Sequence, residues 1–406
     1  MSQSADISFL QNSPAIQSTD SNGNVVVYHY VPDCNDTYEA QIKQVRGWII
    51  DTQSKEILVK TFTYVPEFTL QDTSRIQTSL QQLGTNIVFT PSYEGSLIHI
   101  WNQPNTGVWH ISTAKKLNAF SSRWGSKFSL GEQFYQCLLQ LAGQSSDATT
   151  FETLFQQFTA SLHPQHIYAF QLRSCDENRI VCRGYPQVDC FFVGLFDRSN
   201  NFQFFLDRPS IERFFPSIPT YNDIENMDML YQKVNDIDPY REQGILVMNA
   251  QGEALKIYNQ RYYDLLQVRA FSPNHLMRYI NILKSKDQAM LQQFKDLYSE
   301  RSNEWKDFHR IIHSMAKNIQ HKYIKRYIER KMALLPPEQH GIMKEVYSRC
   351  WIKGRQNVTN DIVEQTIYEY DAPLIHKMYE QFKRREEQHG DGNHVNEQDM
   401  SRVHNA

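Results

Sequence analysis

Residues 90–98 read Thr90-Pro91-Ser92-Tyr93-Glu94-Gly95-Ser96-Leu97-Ile98. Apolar runs lie on both sides, so the Gly95-Ser96 pair taken alone predicts an ordinary hairpin turn between two strands. The same residues place the Ser92 hydroxyl two positions before an acid and a glycine. Whether this segment is more than a turn depends on its neighbours.

Short motifs flank this hairpin in a definite order along the chain. Arg46-Gly47 opens an apolar run that ends at Asp51, and Lys115-Lys116 follows the hairpin. Three strand-like segments come later: Tyr168-Ala169-Phe170-Gln171-Leu172, Glu242-Gln243-Gly244-Ile245-Leu246-Val247 and Leu255-Lys256-Ile257-Tyr258. The ordered series carries more information than any single motif.

In this order and at these separations, the segments resemble the bacteriophage RNA ligase 1 family of the covalent nucleotidyltransferase superfamily. The resemblance covers roughly Val25 to Arg269. It implies a nucleophilic lysine, an arginine that contacts the nucleotide, carboxylates that hold the ribose and a divalent metal, and lysines that offset phosphate charge. ATP and Mg²⁺ are the cofactors it implies for an active site.

Several positions keep the residue type that the resemblance implies. Arg46 matches the nucleotide-contacting arginine, and Glu94 and Gly95 match the acid and glycine after the nucleophile. Lys115 or Lys116 matches the lysine after the hairpin, and Lys256 matches the first lysine of the late pair.

Four positions depart from the pattern. Ser92 replaces the nucleophile, Gln171 and Gln243 replace two glutamates, and Tyr258 replaces the second late lysine. A slip of one residue would put Glu242 in place of Gln243, but Gln243 is the residue next to the motif glycine.

All four replacements affect the transfer of a nucleotide to the protein. A serine hydroxyl without an adjacent base is a poor nucleophile, and a neutral amide is a poor ligand for a hard cation. The leading hypothesis is therefore a pseudoenzyme that has lost self-nucleotidylation and serves as a binding or structural component, in the setting of a large DNA virus. Two alternatives remain: an active ATP-dependent RNA ligase that uses Lys115 or Lys116 instead, and an RNA- or nucleotide-binding module without chemistry.

Composition limits the classes of partner and compartment. The 406-residue chain carries a formal net charge of −3, so nucleic-acid binding would need a local basic surface. No apolar run approaches the ~20 residues of a membrane span, and the N-terminus lacks the order of a signal peptide. The sequence predicts an intracellular or virion protein that is neither secreted nor membrane-bound. Its six cysteines are irregularly spaced, and His309 and His313 lack an accompanying acid, so no metal site is expected.

The predicted fold is α+β. An ATP-grasp-like ligase core of antiparallel sheets with flanking helices is expected over residues 25–270, and an all-α domain over residues 271–386. A flexible arm (1–24) and a disordered tail (387–406) are predicted at the ends. Helices are predicted over residues 130–142, 151–162, 275–284, 287–303, 305–333, 339–351 and 373–385.

The predicted partner surface lies in the helical region. Lys322, Lys325, Arg326 and Arg330 recur at helical spacing beside Tyr323 and Tyr327, as in a stripe that binds RNA or another viral protein. A solvated face with both tyrosines turned to the core is the alternative, and it is slightly favoured.

Overall fold

The structure, a computed structural model, describes residues 8–31, 40–143, 150–174, 179–183, 187–206, 209–272, 274–333, 335–353 and 357–399. Within these ranges the chain forms two compact units, divided between Gln267 and Val268. The first contains the strands and the second is helical. Cys34 and Cys175 lie outside the described residues.

Thirteen strands are described, all in the first unit: β1 (Ile16–Asn22), β2 (Val25–Tyr30), β3 (Arg46–Asp51), β4 (Glu56–Val59), β5 (Glu67–Thr69), β6 (Ile87–Ser92), β7 (Ser96–Asn102), β8 (Trp109–Ser112), β9 (His166–Arg173), β10 (Asp189–Asp197), β11 (Gln203–Phe205), β12 (Gly244–Asn249) and β13 (Ala254–Tyr258). They form three sheets with the orders β1-β2-β3-β4, β11-β10-β9-β7-β8 and β5-β13-β12-β6. Every pairing is antiparallel except that of β5 with β13, which is parallel.

Eight helices accompany the strands along the chain: α1 (Ser8–Asn12), α2 (Ala40–Lys43), α3 (Thr73–Leu83), α4 (Leu130–Ala142), α5 (Phe151–Thr159), α6 (Pro209–Glu212), α7 (Met227–Asp236) and α8 (Gln260–Arg269). Local sequence fixes both ends of α4. Ser129 and Glu132 accept each other's backbone N–H in a capping box, and Gly143 ends the helix in the left-handed conformation.

The sheets are held together by apolar side chains between layers. The five-stranded sheet packs through Phe170 against Phe134 of α4 and Phe158 of α5. The sheet that carries β6 and β12 has its own core, in which Ile245 and Val247 cluster with residues of α3 and α7. The ends of β6 and β12 are thereby fixed on a rigid support.

The described residues of the second unit form six α-helices: α9 (His275–Ser285), α10 (Gln288–Leu297), α11 (Ser302–Tyr323), α12 (Pro337–Tyr347), α13 (Asn360–Glu369) and α14 (Ala372–Asp399). Short π-helical segments follow α11 and α12 at Ile324–Ile328 and Ser348–Lys353. The prediction of an α+β fold, with largely antiparallel sheets followed by a helical region, is confirmed. No helix of the described ranges is both long and apolar enough to cross a bilayer.

The chain ends differ from the prediction. Ile16–Asn22, placed in the flexible arm, is a strand paired with β2; its backbone hydrogen bonds do not require an apolar sequence, and Ile16 is buried. Helix α14 continues to Asp399 through residues assigned to the tail, because Gly390 and Gly392 weaken a helix without breaking it as proline would. The predicted helix over residues 305–333 instead leaves helical geometry after Ile328, and α13 was not predicted.

Candidate functional site

Ser92 and Gln243 meet at the ends of two paired strands. Ser92 closes β6 and pairs with Gly244, the first residue of β12. The Gln243 N–H donates to the Ser92 carbonyl at 2.8 Å, and the Ser92 hydroxyl donates to Gln243 Oε1 at 2.9 Å. Ser92 is only 4% exposed. The Ser92 hydroxyl thus donates a hydrogen bond to an amide oxygen, and an amide oxygen is not basic enough to remove its proton.

The hydrogen-bond chain continues inward from Gln243. Its Nε2 donates to the Tyr262 hydroxyl at 3.0 Å, and that hydroxyl donates to Glu94 Oε1 at 2.9 Å. All four side chains are buried. Burial, followed by the Glu94 charge, raises the pKa of Tyr262 well above its ordinary value, so the tyrosine keeps its proton. The chain Ser92–Gln243–Tyr262–Glu94 therefore forms a closed polar network, called here the buried network.

Glu94 has little capacity left for a ligand. Its carboxylate accepts the backbone N–H groups of Ile180, Val181 and Cys182 at 2.9, 2.6 and 2.9 Å, in addition to the Tyr262 hydroxyl. Val181, Cys182 and Tyr262 donate to Oε1 and Ile180 donates to Oε2, so the lone pair left for a ligand is on Oε2. Glu94, which the resemblance assigns to cofactor binding, here holds the backbone of residues 180–182 through hydrogen bonds.

Lys256 and Tyr258 lie beside this network on β13. Tyr258 pairs with Gly244 across the sheet, as Ser92 does from the other side, so the three positions form one row. The Lys256 ammonium lies 3.1 Å from the Glu67 carboxylate and 3.5 Å from the Tyr258 hydroxyl. The Tyr258 ring stacks on Tyr262 with centroids 5.7 Å apart. An aromatic ring thus occupies the position of the second lysine.

Arg46 shares the Glu67 charge with Lys256. It is half-buried at the start of β3 and donates to the Thr63 carbonyl at 3.3 Å. Burial lowers the pKa of the guanidinium, and the nearby Tyr30 and Glu67 oppose that shift. Arg46 and Lys256, the two cations that match the motif pattern, therefore both lie near the Glu67 carboxylate, which belongs to no motif.

Gln171 contacts the backbone of the motif instead of a side chain in it. Its Nε2 donates to the Tyr93 carbonyl at 2.7 Å. The neighbouring strands approach closely here, because a Cβ on Gly95 would lie 2.2 Å from the Leu172 carbonyl oxygen. Gln171 thus fixes the segment between Ser92 and Glu94.

The two alternative nucleophiles lie in the loop after β8. Lys115 is exposed, while the Lys116 ammonium lies 3.7 Å from an Asp20 carboxylate oxygen. The Thr113 hydroxyl accepts both backbone N–H groups, at 3.2 and 3.0 Å. Lys115 is near enough to His29 to contribute, after burial, to the lowered pKa of that imidazole. Neither lysine hydrogen-bonds to the buried network.

These residues do not fit a divalent cation. Mg²⁺ prefers carboxylate and water oxygens, whereas the Glu94 carboxylate already accepts four protein donors and Gln171 and Gln243 present amides that are already engaged. Across the described ranges, no group of three or more His, Cys, Asp or Glu side chains is placed to hold a metal.

The basic stripe lies at the end of α11 and beyond it. Arg326 and Arg330 are exposed, and Lys322 and Lys325 are half-buried. The tyrosines between them face inward: Tyr323 is 2% exposed, and the Tyr327 ring stacks on Tyr347 of α12 with centroids 4.3 Å apart. The cations are therefore accessible, while the rings already have protein partners.

Sequence reasoning missed Tyr262 and Glu67, which complete the site. Tyr262 is fully buried in α8, and Asn259 accepts its N–H at the helix start. Glu67 reaches Lys256 through the parallel pairing of β5 with β13. Both depend on contacts between segments far apart in the chain, and no local motif marks them. Of the two adjacent candidates, Gln243 enters the network, and Glu242 accepts from the Tyr221 hydroxyl at 2.8 Å.

Comparison with known proteins finds viral relatives and no matching family model. The chain is 24% identical over 360 residues to the Immediate-early protein ICP-46 homolog of Invertebrate iridescent virus 6, covering 82% of this chain and 76% of that protein. The homolog of the same name from Invertebrate iridescent virus 3 is 24% identical over 308 residues, 74% of this chain and 63% of that protein. This chain thus spans less than two thirds of the second relative.

Among solved structures, ATP-dependent ligases are similar at low identity. A putative ATP-dependent DNA ligase from Aquifex aeolicus gives a TM-score of 0.38 at 11% identity, over 72% of this chain and 70% of that chain. An archaeal ATP-dependent RNA ligase gives 0.37 at 10% identity, over 74% and 72%. A Naegleria gruberi RNA ligase mutant with ATP and Mn gives 0.35 at 7% identity, over 51% and 57%.

Proposed function

We propose that the first unit is an RNA ligase-like nucleotidyltransferase unit that does not attach a nucleotide to itself and acts as a binding or structural component. The observation that carries the proposal is the buried hydrogen bond from the Ser92 hydroxyl to Gln243. Ser92, which occupies the nucleophile position of the motif series, is buried and hydrogen-bonded to the Gln243 amide.

The relation to nucleotidyltransferases rests on order and placement together. The motif positions Ser92, Gln243 and Tyr258 are distant in sequence, yet they adjoin along three neighbouring strands. Arg46 and Lys256 lie at the edge of the same group, around Glu67. A scattered arrangement of these side chains would have argued against the resemblance.

The loss of chemistry follows from what each group can do. A lysine amine attacks an α-phosphate and leaves a cleavable phosphoramidate, whereas the Ser92 hydroxyl donates to an amide and, among the described residues, has no base in hydrogen-bond reach. The Glu94 carboxylate is occupied by four donors. The site can therefore support the fold without supporting nucleotide transfer.

The setting proposed is a virus-infected cell or the virion. Both relatives are named as immediate-early protein homologs of invertebrate iridescent viruses. A protein of this kind would meet RNA or other viral proteins as partners.

The test is covalent labelling of the full chain. The protein is incubated with ATP or GTP radiolabelled at the α-phosphate, with Mg²⁺ or Mn²⁺, then denatured and resolved by electrophoresis beside an active lysine-dependent ligase. We expect label on the control ligase alone. Ser92→Lys should also remain unlabelled, because Gln171, Gln243 and Tyr258 still occupy their positions.

A labelled parent protein would refute the proposal and favour a displaced nucleophile. Loss of that label in Lys115→Ala or Lys116→Ala would then identify the lysine, and mass spectrometry would locate the adduct. Strong labelling of Ser92→Lys, with an unlabelled parent, would show that the remainder of the pocket is still competent.

A further inference from the structure

A buried arginine of the second unit lacks a hydrogen-bond partner among the described residues. Arg269 is the last residue of α8 and belongs to the second unit, and it is 0% exposed. Its guanidinium nitrogens Nε, Nη1 and Nη2 form no hydrogen bond with the part of the chain that the structure describes. Buried charges in proteins are normally paired and hydrogen-bonded, because taking an ion out of water is costly. A guanidinium in this state points to an anionic ligand.

The surroundings of Arg269 are an aromatic ring and two further arginines. Its guanidinium carbon lies 5.9 Å from the Tyr298 ring centroid. Burial lowers the pKa of Arg269, Tyr298 opposes that shift, and the charges of Arg301 and Arg278 add to it. The charged side chains with the largest effect on Arg269 are thus cations. Arg269, Arg278 and Arg301 are called here the arginine cluster.

Arg278 and Arg301 are the more accessible members of the arginine cluster, and both are half-buried. Arg278 donates through Nε to the Val268 carbonyl at 2.8 Å and through Nη2 to the Met290 sulfur at 3.5 Å, so protein contacts fix the plane of its guanidinium. The Arg301 Nη1 lies 3.1 Å from the Glu304 carboxylate, which offsets the Arg301 charge. The cluster therefore extends from a buried guanidinium to two that are partly open to solvent.

The enclosure of Arg269 limits the size of its ligand. Tyr298 is also 0% exposed, and the Tyr298 and Phe294 ring centroids are 4.9 Å apart, so aromatic packing closes this side of the cluster. A ring system or a chain segment would have to displace these side chains to reach the guanidinium. A tetrahedral oxyanion is small and accepts from several N–H donors at once, which suits the fork of an arginine.

We propose that the arginine cluster binds one small oxyanion, phosphate or sulfate, as a structural ligand of the second unit. The Arg269 fork supplies the buried contact, and Arg278 and Arg301 add positive charge from the side nearer to solvent. The anion offsets the cost of burying Arg269 and joins the end of α8 to α9 and to the residue before α11. This proposal involves no residue of the buried network and does not rest on the proposed function.

The test measures binding of inorganic phosphate and of sulfate to the full chain by calorimetry, at constant ionic strength with chloride as the reference salt. Hydrogen exchange of α9 and α10 peptides reports on the second unit. Arg269→Met replaces the guanidinium by an apolar side chain, and Arg269→Lys keeps the charge without the fork. Arg384→Met is the matched control, because Arg384 is an exposed arginine of the same unit.

We expect one saturable site for phosphate or sulfate. Its affinity should fall by at least about tenfold in Arg269→Met, as for lost hydrogen bonds to a charged group, and stay unchanged in Arg384→Met. Phosphate should slow hydrogen exchange of α9 and α10 in the parent and in Arg384→Met, but not in Arg269→Met. In chloride alone, Arg269→Met should be at least as stable as the parent, because it removes a buried charge.

Three results would overturn the proposal. The first is the absence of saturable binding of either oxyanion, and the second is an equal loss of affinity in Arg269→Met and Arg384→Met. The third is a loss of stability of Arg269→Met in chloride while Arg269→Lys stays as stable as the parent, since a protein group would then already balance the charge. Tighter binding of AMP or of a single-stranded RNA than of phosphate, lost in Arg269→Met, would likewise contradict a site for a small anion.

Discussion

The Glu94 carboxylate joins parts of the first unit that are distant in sequence. It binds three consecutive backbone N–H groups of residues 180–182 and the Tyr262 hydroxyl of α8. Hydrogen bonds to a buried charge are stronger than neutral ones, and leaving donors unsatisfied is costly. At this residue an acid of the nucleotidyltransferase pattern serves folding.

Glu94→Gln should therefore destabilise the first unit by roughly 2–4 kcal/mol. A carboxamide has one acceptor oxygen, and its NH₂ group would face backbone N–H donors. The measurement is urea denaturation, with hydrogen exchange of β6 and β12 peptides to report on this unit. Glu225→Gln, at an exposed glutamate, is the control and should change stability by less than ~0.5 kcal/mol. Equal stability of the two variants would contradict the structural role.

His99 on β7 gives the first unit a specific dependence on pH. The ring is 3% exposed, and burial, followed by the Arg46 charge, lowers its pKa to about 3. The unfolded chain takes up a proton below its ordinary pKa of about 6.5, while the folded chain does not. Stability contributed by the neutral ring is thus full above pH ~6.5 and is lost as the pH falls toward 3.

Linkage for this one group predicts a loss of about 2 kcal/mol between pH 7 and pH 5. His99→Gln removes the titration, so its unfolding free energy should vary less over that interval by about the same amount. His163→Gln, at an exposed histidine of the same unit, should keep the parent's pH dependence. If the parent and His99→Gln curves are parallel, the assignment to His99 fails.

At the scale of strands, the motif glycines are required by backbone packing. Gly95 has φ 149° and Gly244 has φ 158°, and a Cβ on either would lie 2.2 or 2.0 Å from a carbonyl oxygen of the neighbouring strand. Real Cβ atoms do not approach so closely. The packing of the sheets therefore requires glycine at both positions, whatever the site does chemically.

Gly95→Ala should cost more than about 2 kcal/mol, because strain at positive φ adds to overlap with the Leu172 carbonyl. Gly107→Ala is the matched control: Gly107 also has a positive φ, 70°, but no atom lies within 4 Å of its added Cβ. Its cost should be near 1 kcal/mol. Equal midpoints of denaturation for the two variants would show that overlap contributes nothing.

At the scale of the whole molecule, accessible positive charge occurs in both units. In the second unit, Arg326 and Arg330 are exposed at the end of α11 and beyond it, while Tyr323 and Tyr327 pack inward. Tyr323 is buried and Tyr327 is half-buried, and the binding of a partner by the stripe stays a prediction. Any contact of this stripe with RNA would then depend on phosphate more than on base stacking.

If RNA is a partner, replacing Lys322, Lys325, Arg326 and Arg330 by Ala should weaken binding and reduce its salt dependence. The expected reduction is up to ~0.7 units of log–log slope per lost single-strand phosphate contact. The control replaces four other exposed cations of the same unit, Lys306, Lys344, Lys377 and Arg384. Titrations at several salt concentrations measure the slope. Equal slopes for both quadruple variants would identify the stripe as an ordinary solvated surface.

The sequence by itself determined features that depend on neighbours along the chain. Apolar spacing predicted a helix over residues 130–142, which are the limits of α4, and the apolar run from Arg46 to Asp51 is the strand β3. The order of motifs predicted one site at Ser92, Gln243 and Tyr258, and these residues are neighbours at one end of a sheet. These signals are local, because helix hydrogen bonds and strand alternation arise within short segments.

Only the tertiary structure decided how those residues are used. The hydrogen bond of Tyr262 to Glu94 and the pairing of Glu67 with Lys256 each join segments that are far apart in the chain. The strand at Ile16–Asn22 likewise depends on β2 as its partner. Hydrogen-bond partners and burial are properties of packed surfaces, and a linear pattern does not specify which distant donor reaches a given acceptor.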